Sequence, residues 1–320
     1  MGKRRVTLRN VAERANVSVS TVSLVLNDKA LDGNVRISDQ TIRMVRRAAL
    51  EMGYLLRGTV GLIVPWIWPA VEVPLIKGIT EVFREAHYSL AMGVTTGRHL
   101  DVELEEIRAM DTKGFDSIII QPGFELMAQP ELLRRNFRNW KHVVVANLLP
   151  CPGFTYVTVD PVQCGYIATK HLLDLGHRRV VCARGNIPGK DPILAARTEG
   201  YVKAMADYGL QPLVLRGKEE TLAFAEDVTA VFCCRYRAAA DFAGACIDRK
   251  IRVPDDLSIV GIADDREKVL VRPKLTTVDL RAYEMGRMIA QMVLDAVDGQ
   301  QPESMVLQPD LVVRDSTRAL

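Results

Sequence analysis

The chain has 320 residues, 48% apolar and 25% charged, with a net charge of +3. That length holds two or three domains with a large core, and the composition is that of a soluble globular protein. No uncharged apolar run reaches the roughly 18 residues of a membrane span, and the basic start, Met1 to Arg5, leads into no apolar signal core, so a cytoplasmic protein with no membrane partner is expected.

The charge is unevenly placed. Residues 1–58 hold 11 Lys and Arg against 5 Asp and Glu, while residues 59–320 hold 31 against 34. A basic head on a mildly acidic body implies that the head meets an anion. The six cysteines, Cys151, Cys164, Cys182, Cys233, Cys234 and Cys246, form no C-x-x-C and have no histidine pair at metal-ligand spacing. They read as reduced core or pocket thiols, and neither a metal nor a cofactor is expected.

In chain order, Thr7 is placed to N-cap a helix over Leu8–Ala15, with Leu8, Val11, Ala12 and Ala15 on one face. Asn16 tolerates a left-handed backbone and can end it. Ser18 caps a second helix to about Leu26, with Val22, Val25 and Leu26 inward. Its outward residues are Val19, Ser20, Ser23 and Leu24, with Thr21 near the first turn. A loop from Asn27 leads to Ser38, which caps a third helix over Asp39–Met52. Ile42, Val45, Ala49 and Met52 line one side of it, Arg43, Arg46 and Arg47 the other, and Gly53 stops it. Three such helices read as a helix-turn-helix head or as a small helical docking domain; in the first case the second helix enters a DNA major groove.

From Val60 the pattern alternates. Strands are expected at Val60–Val64, Ser89–Gly93, Ser117–Gln121, His142–Ala146, Arg179–Ala183, Ala230–Cys233 and Ser258–Ile262. Helices are expected at Leu75–Ala86, Val102–Thr112, Pro130–Trp140, Gln163–Leu175, Leu194–Tyr208, Ala238–Lys250 and Ala282–Val297. This order implies two doubly wound parallel sheets, with a ligand cleft at the strands' C-terminal ends. No G-x-S-x-G, G-x-x-x-x-G-K-[ST] or H-E-x-x-H occurs, and no enzyme is expected.

The string from Thr7 to Asn27, T-L-R-N-V-A-E-R-A-N-V-S-V-S-T-V-S-L-V-L-N, resembles the N-terminal motif of the LacI/GalR transcriptional regulators. Further matches are R-I-S-x-x-T, Gly53-Tyr54, the run Thr169 to Val180, Arg197 to Tyr201, Val253 to Gly261 and Pro273 to Val278, so the resemblance spans nearly the whole chain. It implies a cytoplasmic repressor: a helix-turn-helix head, then an α/β two-lobed domain resembling a periplasmic binding protein, acting as a homodimer on an operator under an allosteric small-molecule effector. By position, Val19, Ser20 and Leu24 fall where the family reads bases. Thr7, Ser18, Thr21, Ser23 and Asn27 fall at phosphate-contacting or capping positions. The implied division is a head at 1–54, a linker at 55–60 and an effector and dimerisation domain at 61–320. Its first lobe covers about 61–160 and 280–300 and its second about 161–279 and 301–320, with crossings near Asp160, Val278 and Gln300.

Two departures bear on function. Relatives follow G-Y with an arginine-rich hinge helix whose leucine wedges into the minor groove. Here Leu55-Leu56-Arg57-Gly58-Thr59-Val60 alone precedes the first strand, with no A-R-x-L and no room for a hinge helix. Leu55 and Leu56 read as core beneath the head, the alternative being that one of them substitutes as the wedge. In the pocket, the family's A-N-D reads Cys234-Arg235-Tyr236, its G-[FY]-D-D reads Gly261-Ile262-Ala263-Asp264, and Trp66 and Trp68 follow Val64-Pro65. Asn147 and Arg197 are retained. Three readings stand: Arg197 and Arg235 bind an anionic effector (a sugar acid, sugar phosphate or organic acid) beside the stacking rings of Trp66 and Trp68, Arg235 pairs internally with Asp264 in a dead or rearranged pocket, or the effector is a neutral sugar. A competing function is a small-molecule-binding protein of the same fold whose DNA switch is impaired.

Overall fold

A computed structural model describes residues 6–26, 37–52, 54, 58–67, 71–95, 99–112, 115, 117–138, 140–146, 149–184, 191–215, 228–262 and 272–320. The head holds α1 (Leu8–Ala15), α2 (Val19–Leu26) and α3 (Asp39–Glu51). Its small core is Val11, Ala12, Ala15, Val22, Val25, Val45, Ala48 and Ala49, the inward stripes of the three helices. Ile42 and Met52 pack on its margin. The readings at Asn27, Gly53, Leu55 and Leu56 lie outside the described residues.

The body begins with β1 (Gly58–Val64), which starts two residues before the expected Val60 because Gly58 and Thr59 already pair with Tyr88 and Ser89. It continues as α4 (Glu72–Glu85), β2 (Tyr88–Val94), α5 (Leu100–Thr112), β3 (Ser117–Ile120), α6 (Phe124–Met127), α7 (Pro130–Phe137), β4 (Val143–Ala146) and β5 (Thr155–Val159). Then follow α8 (Pro161–Asp174), β6 (Val180–Ala183), α9 (Pro192–Asp207), β7 (Leu213–Leu215), β8 (Ala230–Cys233), α10 (Tyr236–Asp248), β9 (Ser258–Ile262), β10 (Thr276–Asp279), α11 (Ala282–Val297), β11 (Met305–Leu307) and β12 (Asp310–Val312).

The strands form two six-stranded sheets, ordered β11-β5-β4-β3-β1-β2 and β12-β10-β9-β8-β6-β7. All recorded pairings are parallel except β10 with β12. Helices cover both faces, so central strands such as β3 and β9 are buried throughout and read as unbroken apolar runs. The chain passes from the first sheet to the second at Asp160 and returns between Asp279 and Ala282. The third passage lies between Leu307 and Asp310, later than the expected Gln300, because β11 still pairs with β5 in the first sheet.

Each sheet carries a helix pair in backbone contact. A Cβ on Gly165 would lie 1.9 Å from the Arg197 carbonyl oxygen, and one on Gly200 1.9 Å from that of Val162. On the first sheet, Gly78 and Gly286 make the same approach to Tyr283 and Leu75, at 2.2 and 2.1 Å. Gly200→Ala is expected to lose about 3 kcal/mol or more, since neither backbone can retreat without opening the packed helices. Gly244→Ala, at a helical site with nothing within 4 Å, is expected to gain about 0.5–1 kcal/mol. Urea unfolding of both variants checks the pair.

Candidate functional site: the head and the cleft

The head's geometry follows from its caps. Thr7 Oγ1 accepts the Asn10 N–H (3.4 Å), and Asn10 Oδ1 accepts the Thr7 N–H (3.0 Å), a reciprocal box that opens α1. Asn16, at φ 51°, closes it in the left-handed region. Ser18 Oγ accepts the Thr21 N–H at 3.1 Å and lies 2.7 and 2.8 Å from the Ser20 and Thr21 hydroxyls. The first turn of α2 is therefore lined with hydroxyls beside backbone N–H groups, a setting suited to phosphate.

Val19 is 44% exposed and Ser20 is exposed, while Thr21, Ser23 and Leu24 are half-buried along the same helix. Thr7 and Ser18 are exposed at the helix starts. An exposed helix of this chemistry fits a major groove, Val19 and Leu24 suiting thymine methyls and Ser20 a base edge or phosphate. Glu51 on α3 accepts Arg47 Nε (2.8 Å) and Arg14 Nη2 (3.2 Å), joining α1 to α3. Those bonds, Arg47's first, hold the Glu51 carboxyl below its ordinary range.

The cleft site gathers at the strands' C-terminal ends. In the second lobe Arg197 projects from α9 and is 5% exposed. Its Nη1 donates to the Cys234 carbonyl at 2.7 Å, and its Nε has no partner among the described residues. Burial lowers its pKa, as loss of water disfavours the charged form. Arg235, one residue further along, donates to Asp191. Asp191 also caps α9, accepting the N–H groups of Ile193 and Leu194 at 2.9 and 3.1 Å. Arg235 is thus held by an acid the sequence reading did not single out. The signal was available: Asp191-Pro192 is an N-cap with proline in the first turn, and Asp160-Pro161 repeats it at α8. Arg184, half-buried past β6, adds a cation near Cys234.

All six cysteines are buried and unpaired by disulfides. Burial pushes the Cys164 thiol up to about 12. Cys182 and Cys234 place their sulfurs 3.5 Å apart below Arg197. The hydrogen bond from Cys182, then Arg197's charge, lowers Cys234.

In the first lobe Trp66, half-buried past β1, leans on Phe124 with ring centroids 5.3 Å apart. Glu72 opens α4 and accepts Gln121 Nε2 at 3.0 Å. Glu103 on α5 accepts the Gly123 N–H at 2.8 Å. Neither acid stands out in the sequence, where a carboxylate in a helix pattern looks like part of a solvated face. Trp68, Asn147 and Asp264 lie outside the described residues.

The family models fit this arrangement in register. Residues 7–55 match the model for bacterial regulatory proteins of the lacI family, and 57–234 match that for periplasmic binding proteins and the sugar-binding domain of the LacI family. A periplasmic binding protein-like domain model matches 169–317. The chain belongs to the lacI family.

Relatives of this lacI-family chain match it nearly end to end. It is 29% identical to the transcriptional repressor CytR of Escherichia coli K12, over 98% of this chain and 97% of the repressor. It is 27% identical to catabolite control protein A of Priestia megaterium, over 95% and 96%. The CytR alignment spans 341 positions, so that repressor carries residues this 320-residue chain lacks. Among solved structures, the cellobiose complex of the regulator CelR superposes with a TM-score of 0.68 at 26% identity, over 98% of this chain and all of that one. The operator-bound lac repressor dimer shares the fold, with a TM-score of 0.74 at 19% identity over 99% and 100%. Regulators of the family are dimeric. No described helix is long and apolar enough to cross a membrane.

Glu103 gives a pH test of the first lobe. Burial raises its pKa from 4.5 to about 7, against the Gly123 hydrogen bond and with Glu125 adding repulsion. Between those values the unfolded chain has released the proton that the folded chain keeps, so stability falls as pH rises through the window. Glu103→Gln is expected to flatten that slope and to raise stability above neutral pH by about 2–3 kcal/mol. Urea unfolding near pH 5 and pH 8 checks it.

Proposed function

We propose that this lacI-family chain is an effector-responsive repressor that binds a near-palindromic operator as a homodimer, with α2 of each head in a major groove, and that its effector is anionic. The observation that carries the effector reading is Arg197: a buried guanidinium with an unpartnered Nε and no carboxylate on it among the described residues. An isolated buried charge costs several kcal/mol, and a ligand carboxylate or phosphate removes that cost. The paired Arg235 and Asp191 sit beside it as a neutral unit that steers rather than neutralises the ligand. Trp66 supplies a flat apolar surface at the first lobe. Exposed Val73 on α4 with Met92 and Val94 on the edge strand β2 supports dimerisation through the first lobe.

A second reading, a ligand-binding protein with an impaired DNA switch, is favoured by the short connection. α3 ends at Glu51 and β1 begins at Gly58, and the two family models meet between residues 55 and 57. Nothing there is long enough for a hinge helix and its linker. The repressor reading therefore carries a corollary: the operator is held without a minor-groove wedge and is bent little.

Two outcomes follow. Operator affinity should fall steeply with salt, each phosphate contact adding about 0.9 to the log–log slope, with only a slight bend in circular-permutation gel shifts. A strong central kink contradicts the corollary, and absence of specific protection at low salt with ligand binding intact selects the second reading. Arg197→Met should weaken binding of the anionic effector by about a hundredfold, measured by calorimetry; unchanged affinity sinks the anionic reading.

A further inference from the structure

Three side chains that no comparison assigns stand at the C-terminal ends of the first sheet's strands. Thr95 lies one residue past β2, Gln121 one residue past β3, and Glu72 opens the helix that follows β1. The Thr95 and Gln121 backbone N–H groups donate to the carbonyls of Val64 and Ile63 at the end of β1, 3.0 and 2.9 Å away. These bonds fix the two residues on either side of the end of β1, at the sheet's C-terminal edge, where ligands of open α/β sheets bind.

All three are almost wholly buried: Thr95 and Glu72 are 1% exposed and Gln121 8%. A carboxylate only accepts, so the Gln121 amide nitrogen must face Glu72, and its carbonyl oxygen must face away. That oxygen has no partner among the described residues, and neither does Thr95 Oγ1. Buried polar atoms are ordinarily paired, and exceptions mark places where something else completes them. A carbonyl oxygen is completed by a donor. Thr95 can accept a hydroxyl hydrogen or donate to a hydroxyl oxygen.

The second lobe presents the opposite chemistry. Arg197 offers an unpartnered N–H edge, and the neighbouring Arg235 is already matched by Asp191. One open guanidinium edge suits the flat pair of oxygens of a carboxylate. A bare organic acid would satisfy Arg197 and leave Gln121 and Thr95 unpaired. A neutral sugar would do the reverse.

We infer that the effector is a polyhydroxy monocarboxylate, a sugar acid, whose carboxylate meets Arg197 and whose hydroxyls meet Thr95, Gln121 and the Glu72 held beside Gln121. This inference rests on the anionic-effector reading and narrows it. Trp66 then covers the apolar C–H face of the sugar chain. Glu72 and Gln121 act as a pair: Glu72 orients the amide, and the amide oxygen reads the hydroxyl.

The test is calorimetry and thermal shift on the full-length protein with a fixed panel: pentose- and hexose-derived aldonates and uronates, the parent sugars, propionate, and glucose 6-phosphate. At least one sugar acid should bind tenfold or more tightly than its parent sugar, than propionate and than glucose 6-phosphate. Gln121→Leu and Thr95→Val should each cost that sugar acid tenfold or more while changing propionate binding less than twofold. Gln121→Asn, which keeps an amide in a shorter side chain, gives an intermediate loss, and unfolding of each unliganded variant confirms that it folds. If propionate or glucose 6-phosphate binds at least as well as every sugar acid, or if the Gln121 and Thr95 variants leave sugar-acid binding unchanged, the hydroxyl-reading wall is refuted and the anionic reading stands. If only neutral sugars bind, and Arg197→Met does not matter, both fall. Binding by no sugar acid in the panel also overturns the inference.

Discussion

Backbone-to-backbone packing of helices is the constraint on which both lobes depend. At Gly165 and Gly200, and again at Gly78 and Gly286, the absent side chain lets two helices touch through their carbonyls. The pairs are built alike. On the second sheet Tyr166 of α8 bonds Asp207 of α9, with Lys203 over its ring. On the first, Tyr283 of α11 bonds Glu81 of α4, with Lys77 over its ring. Close interhelix contact at small residues leaves little slack for sliding, and a packed interior transmits displacement rather than absorbing it. The residues that matter to the cleft inherit this stiffness. Arg197 sits on the helix whose carbonyl meets Gly165, and Glu72 on the helix that Gly286 meets, so each is mounted on a tightly packed helix pair.

What the sequence made legible was local and repetitive. The capping residues Thr7, Ser18 and Ser38, the left-handed Asn16 and the apolar stripes of the head have mechanisms that act within one or two turns, and the head folds as they specify. Long apolar runs flanked by helical patterns likewise marked the central strands. The edges were not legible. β7, β11 and β12 have three residues each, too few for any period to show, and their pairing is decided by strands far away in sequence. The late third passage follows from the same cause, because only the pairing of Met305–Leu307 with β5 keeps that stretch in the first lobe.

The site was half legible. Resemblance by position brought Arg197, Arg235 and Trp66 forward: Arg235 and Trp66 follow β8 and β1, and Arg197 reaches the Cys234 carbonyl from α9. Asp191, Gln121, Thr95 and Glu72 went unnamed, because their role depends on what the fold sets beside them. Asp191 becomes a counter-ion only when α9 begins next to the end of β8. Gln121 becomes an acceptor only because a buried acid claims its nitrogen. Such roles are properties of neighbours, and a single sequence does not list neighbours.

The position of β1 has a mechanical consequence. It lies inside the first sheet, paired with β2 along its whole length and with β3 from Val60 to Ile63, and is the strand onto which the head is joined. A strand clamped on both sides at its centre has no independent tilt, so Gly58, itself paired with Tyr88, follows the first lobe. Six residues, 52–57, separate α3 from β1, so the head is attached within a short reach of this inner strand. Turning one first lobe against its twin in a dimer would carry the start of β1, the point where each head is attached, through the same angle.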